Sequence, residues 1–459
     1  AANDTSYTDN TADNCTNYTY LVKTYNSCKT TGVISTNSLS AYIPSDISQT
    51  FSNNGKLEAT DGEFGERIDI KWSTPNKQND DWSILRINPI TNDTVPIANL
   101  DGRVKSFTDN TADANTLYNY LISGESNCAG NVVYSDTTSD FGFRLAFGTI
   151  NGQITYSGGS AVKGVKVTAL AASGASGKSG GFNGTSSYAT ISNSAKLSDS
   201  LVSVLAYVRP STTSGIQTVI SKISGTKGYQ LFIEGGQLKV KIGTTTKQVS
   251  IPNFTAGNWI SVGTIVSSDS VKLLHNGKYL GVFAHSEGAN IKNTSSIEIG
   301  RNGTTNYFKG EIDEVRLYNK PLSKQEYERS FDVYINPSMD GLVGYWRFDE
   351  GFGVTAYDYS KTLLTTNKNH ATLSNVTWSN AKPSTSQLTA GAYTDSLGSY
   401  FIPFVPYLGS GDNYTIRPEF GTHTFTPATT TLLIGSGSAN YTGQNFTDNS
   451  SFTVSGTVK

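Results

Sequence analysis

Apolar and polar residues alternate along Arg67-Ile-Asp-Ile-Lys-Trp72, which places Ile68, Ile70 and Trp72 on one face of a half-buried strand. Trp82-Ser-Ile-Leu-Arg86 and Tyr118-Asn-Tyr-Leu-Ile122 read as further strands. Gly152-Gln-Ile-Thr-Tyr156, a Gly-Gly turn and Ala161-Val-Lys-Gly-Val-Lys-Val-Thr168 read as a hairpin. One short helix is expected, over 323–331, opened by Ser323 with Glu326 three residues on as a capping box. The pattern predicts an all-β protein.

The segment Ser6-Tyr-Thr-Asp-Asn-Thr-Ala-Asp13 returns as Ser106-Phe-Thr-Asp-Asn-Thr-Ala-Asp113, and the match continues through Tyr18/Tyr118, Tyr20/Tyr120, Leu21/Leu121 and Cys28/Cys128. A spacing of one small domain predicts sandwiches strung in series, continuous with further repeats of the same chain. The 459 residues suffice for three or four domains of ordinary size.

Lys and Arg number 35 against 37 Asp and Glu, so no basic field exists to hold nucleic acid or an anionic membrane. Charged residues are only 16% of the chain, with 25 Tyr and 45 Gly, a composition suited to extracellular strands and tight turns. No apolar run approaches the ~20 residues that a membrane helix needs. Cys15 and Cys28 bracket a Tyr-rich strand and its turn, which predicts a hairpin disulfide and leaves Cys128 free, since Asn115 stands opposite Cys15.

Residues 44–140, with Trp72 as a buried strand tryptophan and Tyr118 as a corner tyrosine, resemble a fibronectin type III domain. Residues 1–43 resemble the last strands of a preceding copy. The hairpin after Gly148 resembles the opening of a carboxypeptidase-regulatory-like (transthyretin-like) sandwich, and Thr394-Asp-Ser-Leu-Gly-Ser-Tyr-Phe-Ile402 resembles its next strand. That sandwich is therefore expected to be split, over 141–178 and 379–451, around an inserted domain at 179–378. Within the insert, Gly181-Phe-Asn-Gly-Thr-Ser-Ser-Tyr188, Gly257-Asn-Trp259, Phe308-Lys-Gly-Glu-Ile-Asp-Glu-Val-Arg-Leu-Tyr318 and Gly341-Leu-Val-Gly-Tyr-Trp-Arg-Phe-Asp-Glu-Gly351 closely resemble a laminin-G-like, concanavalin-type jelly roll. Residues 452–459 resemble the start of the next sandwich.

The laminin-G-like resemblance implies a calcium site, with Asn183, Gly184 and Asp313 as the positions to test. Sugar recognition requires exposed aromatics, and Tyr307, Trp346 and Phe352 lie near the loops that the resemblance implies. The carboxylate pairs Asp313/Glu314 and Asp349/Glu350 raise the alternative of a glycosidase. Neighbours on a strand point to opposite faces, so neither pair is expected to flank one glycosidic bond, and no catalytic residue is assigned. The assembly as a whole resembles the giant, repetitive cell-surface adhesins of Bacteroidota, including those that drive gliding. That resemblance implies an extracellular stalk displaying a jelly roll that attaches to polysaccharide or another surface. A ligand-free spacer and an accessory region of a secreted polysaccharide-degrading enzyme are the alternatives.

Overall fold

The computed structural model describes residues 6–12, 15–26, 29–41, 51, 55–74, 81–128, 130–171, 177–360 and 368–451. The expected start of a further sandwich at 452–459 lies outside them. The protein is all-β, built from several sheets with two short α-helices and one 3₁₀ turn among the described residues. It divides into two compact units, Ala1–Arg144 and Leu145–Lys459.

In the first unit, Lys56–Ala59, Ile68–Ser73 and Ser106–Asp109 form a three-stranded sheet. Thr94–Asp101, Asp81–Ile87, Tyr118–Cys128 and Asn131–Gly142 form a four-stranded one. The alternating positions Ile68, Ile70 and Trp72 are buried with Trp82, Ile84, Tyr120 and Ile122 in one core. The strands Tyr18–Asn26 and Lys29–Ala41 make a separate hairpin. The disulfide differs from the sequence expectation: Cys15 is bonded to Cys128, 113 residues away, rather than to Cys28, which lies outside the described residues. The reason is tertiary, because folding brings the turn before Tyr18 to the end of the Tyr118–Cys128 strand, with the two Cα atoms 4.4 Å apart.

In the second unit, strands from the two sides of 177–379 pair with each other. Phe147–Tyr156 lies against Ser399–Pro406, and Lys166–Ala171 lies between Ala390–Tyr393 and Gly411–Glu419. The intervening segment forms two eight-stranded sheets packed over one aliphatic and aromatic core, a jelly roll. Its helix Lys324–Glu328 carries the expected capping box: Glu326 N–H donates to Ser323 Oγ, and Ser323 N–H donates to the Glu326 carboxylate.

The jelly roll is seated on its carrier sandwich through Phe404, whose ring meets Tyr345 and Tyr359 edge-on and lies 4.0 Å beneath the Arg347 guanidinium. Lys166 of the carrier also reaches Asp332 at 2.5 Å. Both contacts hold the inserted domain from a second direction, so its orientation does not rest on the two chain crossings alone.

Candidate functional site

One jelly-roll sheet runs in the order Thr245–Ser250, Gln237–Ile242, Lys227–Glu234, Ile216–Ser224, Ile297–Ile299, Tyr188–Ile191, Ala371–Ser374, Thr355–Ala356. Its inward positions, including Val240, Leu231, Ile220, Ile297, Ile299, Ala189, Ile191 and Ala371, fill the core. Directly paired residues on neighbouring strands share a face. The pairings Thr372/Thr190, Thr190/Glu298, Glu298/Ser221, Ser221/Gln230, Gln230/Lys241 and Lys241/Thr246 therefore draw one row of hydroxyl, amide, carboxylate and ammonium groups across seven strands of the outer face.

Residues 301–307 fold over the middle of this row. Ser221 Oγ donates to Arg301 O at 2.8 Å, and Asn302 Nδ2 donates to Gln230 Oε1 at 3.2 Å. Glu298 anchors the loop with both oxygens, accepting Arg301 Nε at 2.8 Å and Gly303 N–H at 2.6 Å. Glycine at 303 has φ 61°, a left-handed conformation that favours a residue without Cβ, so the tip turns tightly enough for its N–H to face the carboxylate. The Arg301 guanidinium lies 3.1 Å over the Tyr188 ring and donates to Tyr307 Oη at 3.5 Å. The result is a half-buried cluster of two tyrosines, an arginine and a glutamate beside open threonines, a surface that offers donors, acceptors and aromatic edges to a polyhydroxylated ligand.

Of the aromatics expected to meet ligand, Tyr307 belongs to this cluster. Trp346 does not: it is fully buried, and its Nε1–H donates to Asn369 O at 2.8 Å, so the expectation for Trp346 is corrected to core packing. Phe352 is half-buried and precedes the edge strand Thr355–Ala356, three strands from Glu298 and thus roughly 14 Å across the sheet. Tyr188, Glu298 and Arg301 were not singled out by sequence reasoning. The signal lay in register, which pairs Thr190 with Glu298 and Tyr188 with Ser374 and only emerges once strands are aligned.

The residues considered for calcium are not brought together. Asn183 Oδ1 already accepts the backbone N–H groups of Thr185, Ser186 and Ser187, closing its own turn around Gly184. Asn183 pairs with Lys309, four residues along the strand from Asp313, or roughly 13 Å. Asp313 is buried, and its Oδ1 accepts the Glu314 N–H. The described residues contain no group of three or more His, Cys, Asp or Glu side chains placed to hold a metal.

The carboxylate pair Asp313/Glu314 departs from the expected alternation. A bulge opposite Leu205–Tyr207 and a φ of 50° at Glu314 turn both side chains to the outer face of the other sheet, while Ile312 and Val315 point into the core. Both are buried there. Glu314 accepts Tyr345 Oη at 2.5 Å and Arg316 at 2.7 Å and pairs with Arg347 at 3.3 Å. Burial, with Asp349 and Glu314 nearby, pushes the Asp313 carboxyl well above its usual range. Glu350 is likewise buried and raised to about 7. A polymeric substrate has no access to Glu314, held by a tyrosine and two arginines.

Residues 183–326 match the family model of the concanavalin A-like lectin/glucanases superfamily. No curated protein matched the chain. Among solved structures, the chain is similar to a putative carbohydrate binding protein from Bacteroides ovatus, at 13% identity over 72% of this chain and 93% of that one, TM-score 0.36. It is also similar to domain 4 of the extracellular GH43 arabinanase AbnA from Geobacillus stearothermophilus, solved with arabinotriose, at 20% identity over 40% and 87%, TM-score 0.29. A third is the heptameric SAP-like pentraxin of Limulus polyphemus, at 13% identity over 36% and 81%, TM-score 0.26.

Proposed function

We propose that this chain is a non-catalytic, extracellular attachment segment in which serial sandwiches carry a jelly roll that binds polysaccharide. The observation that carries the reading is the outer-face cluster of Tyr188, Glu298, Arg301 and Tyr307 within a polar row that crosses seven strands. The match to a lectin/glucanase jelly-roll family supports it, as does the burial of Asp313, Glu314 and Glu350, carboxylates that an enzyme of this fold class would need exposed. The Cys15–Cys128 disulfide is consistent with an oxidising, extracellular location.

In its finer form the reading is a repetitive surface adhesin, of the kind used in gliding. Many copies along one stalk would gain avidity from individually weak sites. Seating on Phe404 and Lys166 would hold each binding face at a fixed angle.

A glycan array probed with the whole chain tests this function. Binding to at least one polysaccharide class is expected, and Arg301→Ala is expected to reduce it by about tenfold while leaving the melting temperature of the jelly roll within a few degrees. Absence of any glycan signal from folded protein would overturn the polysaccharide-binding reading.

A further inference from the structure

A second concavity, separate from the outer-face cluster, exists because the jelly roll is inserted into another sandwich. The chain returning to the carrier runs along the jelly roll, and between them lies a groove of about 700 Å³ lined by Asn253, Asn258, Trp259 and Lys278 on one side and Lys382 and Gln387 on the other. The return segment is fastened in place, since Gln387 Nε2 donates to Trp259 O at 2.8 Å and Tyr207 Oη donates to Gln387 O at 2.5 Å. The groove is therefore a built feature and falls within the size range of ligand sites.

Its chemistry is one-sided. The carboxamides of Asn253 and Asn258 make no hydrogen bond with the described residues, and both are exposed. Asn276, also in the lining, uses its Oδ1 on Ser261 N–H, which leaves its amide N–H groups facing outward. The ionisable lining groups are Lys278, Lys382 and His275, with no Asp or Glu. Burial keeps His275 from taking up a proton, so it adds no charge at neutral pH. Lys382 lines the groove with its stem only: its Nζ is shut off from solvent without a hydrogen-bond partner among the described residues, and burial lowers its pKa to about 8 against the pull of Asp349 and Asp313. The walls thus supply amide donors and the exposed ammonium of Lys278 and leave the acceptors to the ligand.

We infer that this groove binds an acidic saccharide, a short run of uronic-acid residues whose carboxylate meets Lys278 and whose hydroxyls meet the free carboxamides beside Trp259. The site is independent of the outer-face cluster and would make each jelly roll bivalent for a mixed polysaccharide.

The test titrates the whole chain with tetragalacturonate, its carboxyl-reduced counterpart and tetraglutamate. Tetragalacturonate is expected to bind saturably and to weaken by about tenfold on Lys278→Glu and again as salt rises from about 50 to about 500 mM. The carboxyl-reduced oligomer and tetraglutamate are expected to bind at least about tenfold more weakly. Lys278 is exposed, so its substitution leaves folding intact, and an unchanged thermal melt confirms that. Equal affinity for the reduced oligomer, equal affinity for tetraglutamate, or indifference to Lys278→Glu would each overturn the inference. Uronate binding abolished by Arg301→Ala but not by Lys278→Glu would overturn it too, while leaving the outer-face function standing.

Discussion

Tyr120 donates its phenolic proton to Asp109 across 2.9 Å, and both side chains are buried. The same pair recurs a hundred residues earlier, where Tyr20 donates to Asp9 at 3.1 Å. Each aspartate also accepts the N–H and the hydroxyl of the threonine two residues on, Thr111 or Thr11, so the repeated Thr-Asp-Asn-Thr is a turn closed on itself and pinned by a tyrosine. Even the left-handed residue is kept, with φ 62° at Cys15 and 59° at Asn115. The copies differ in surroundings: Ile122 is fully buried, whereas its counterpart Val22 is 66% exposed.

Removing the Tyr120 hydroxyl leaves Asp109 one donor short in a buried site. Tyr120→Phe is expected to cost the first unit about 1–3 kcal/mol in denaturant unfolding. Tyr20→Phe is expected to cost less, because Tyr20 and Asp9 remain in contact with water. Equal losses would show that burial is not what gives the pair its weight.

The disulfide links the two copies. Non-reducing peptide mapping is expected to recover Cys15 joined to Cys128, and Cys15→Ser is expected to destabilise the first unit by about 2–4 kcal/mol, since a loop of over a hundred residues is no longer closed in the unfolded chain. A recovered Cys15–Cys28 peptide would refute this pairing.

Glu350 gives the jelly roll a pH dependence of defined sign. Burial lifts its folded pKa from 4.5 to about 7, so the folded state holds a proton that the unfolded state releases between those values. Its contribution to stability therefore rises as pH falls from about 7 towards 4.5, and above 7 the buried charge costs about 3 kcal/mol. His370 opposes it, because burial lowers its folded pKa to about 4 and favours the unfolded state as pH falls below 6.5. The comparison that isolates Glu350 is with Glu350→Gln. The variant is expected to melt higher than the parent at pH 8 and close to it at pH 5.

Phe404 is the carrier residue on which Tyr345, Tyr359 and Arg347 converge. Phe404→Ala is expected to destabilise the second unit by about 3–5 kcal/mol and to separate jelly-roll and carrier unfolding into two calorimetric transitions. A single transition with unchanged enthalpy would show that other contacts carry the docking.

Much of the fold was legible locally. Alternation at Ile68, Ile70 and Trp72 gave a strand and its buried face, and Ser323 with Glu326 gave a capped helix, because each depends on neighbours within a few residues. The site was less legible. Tyr307 could be noticed as an aromatic near a loop, but nothing local distinguishes it from Trp346, which the same reasoning sent to the surface and the structure buries. The bulge at Glu314 likewise overturned a correct rule of alternation, since a single extra residue in a strand rotates one side chain to the other face.

The sequence by itself determined the all-β class, the repeated turn and the jelly-roll identity of the insert, all properties of short-range pattern. Tertiary structure alone decided that Cys15 meets Cys128, that Glu298, Arg301 and Tyr188 share one face, and that a returning strap closes a groove against Trp259. Those contacts join residues up to 128 positions apart, and strand register, bulges and domain seating, which no local pattern encodes, set which of them form.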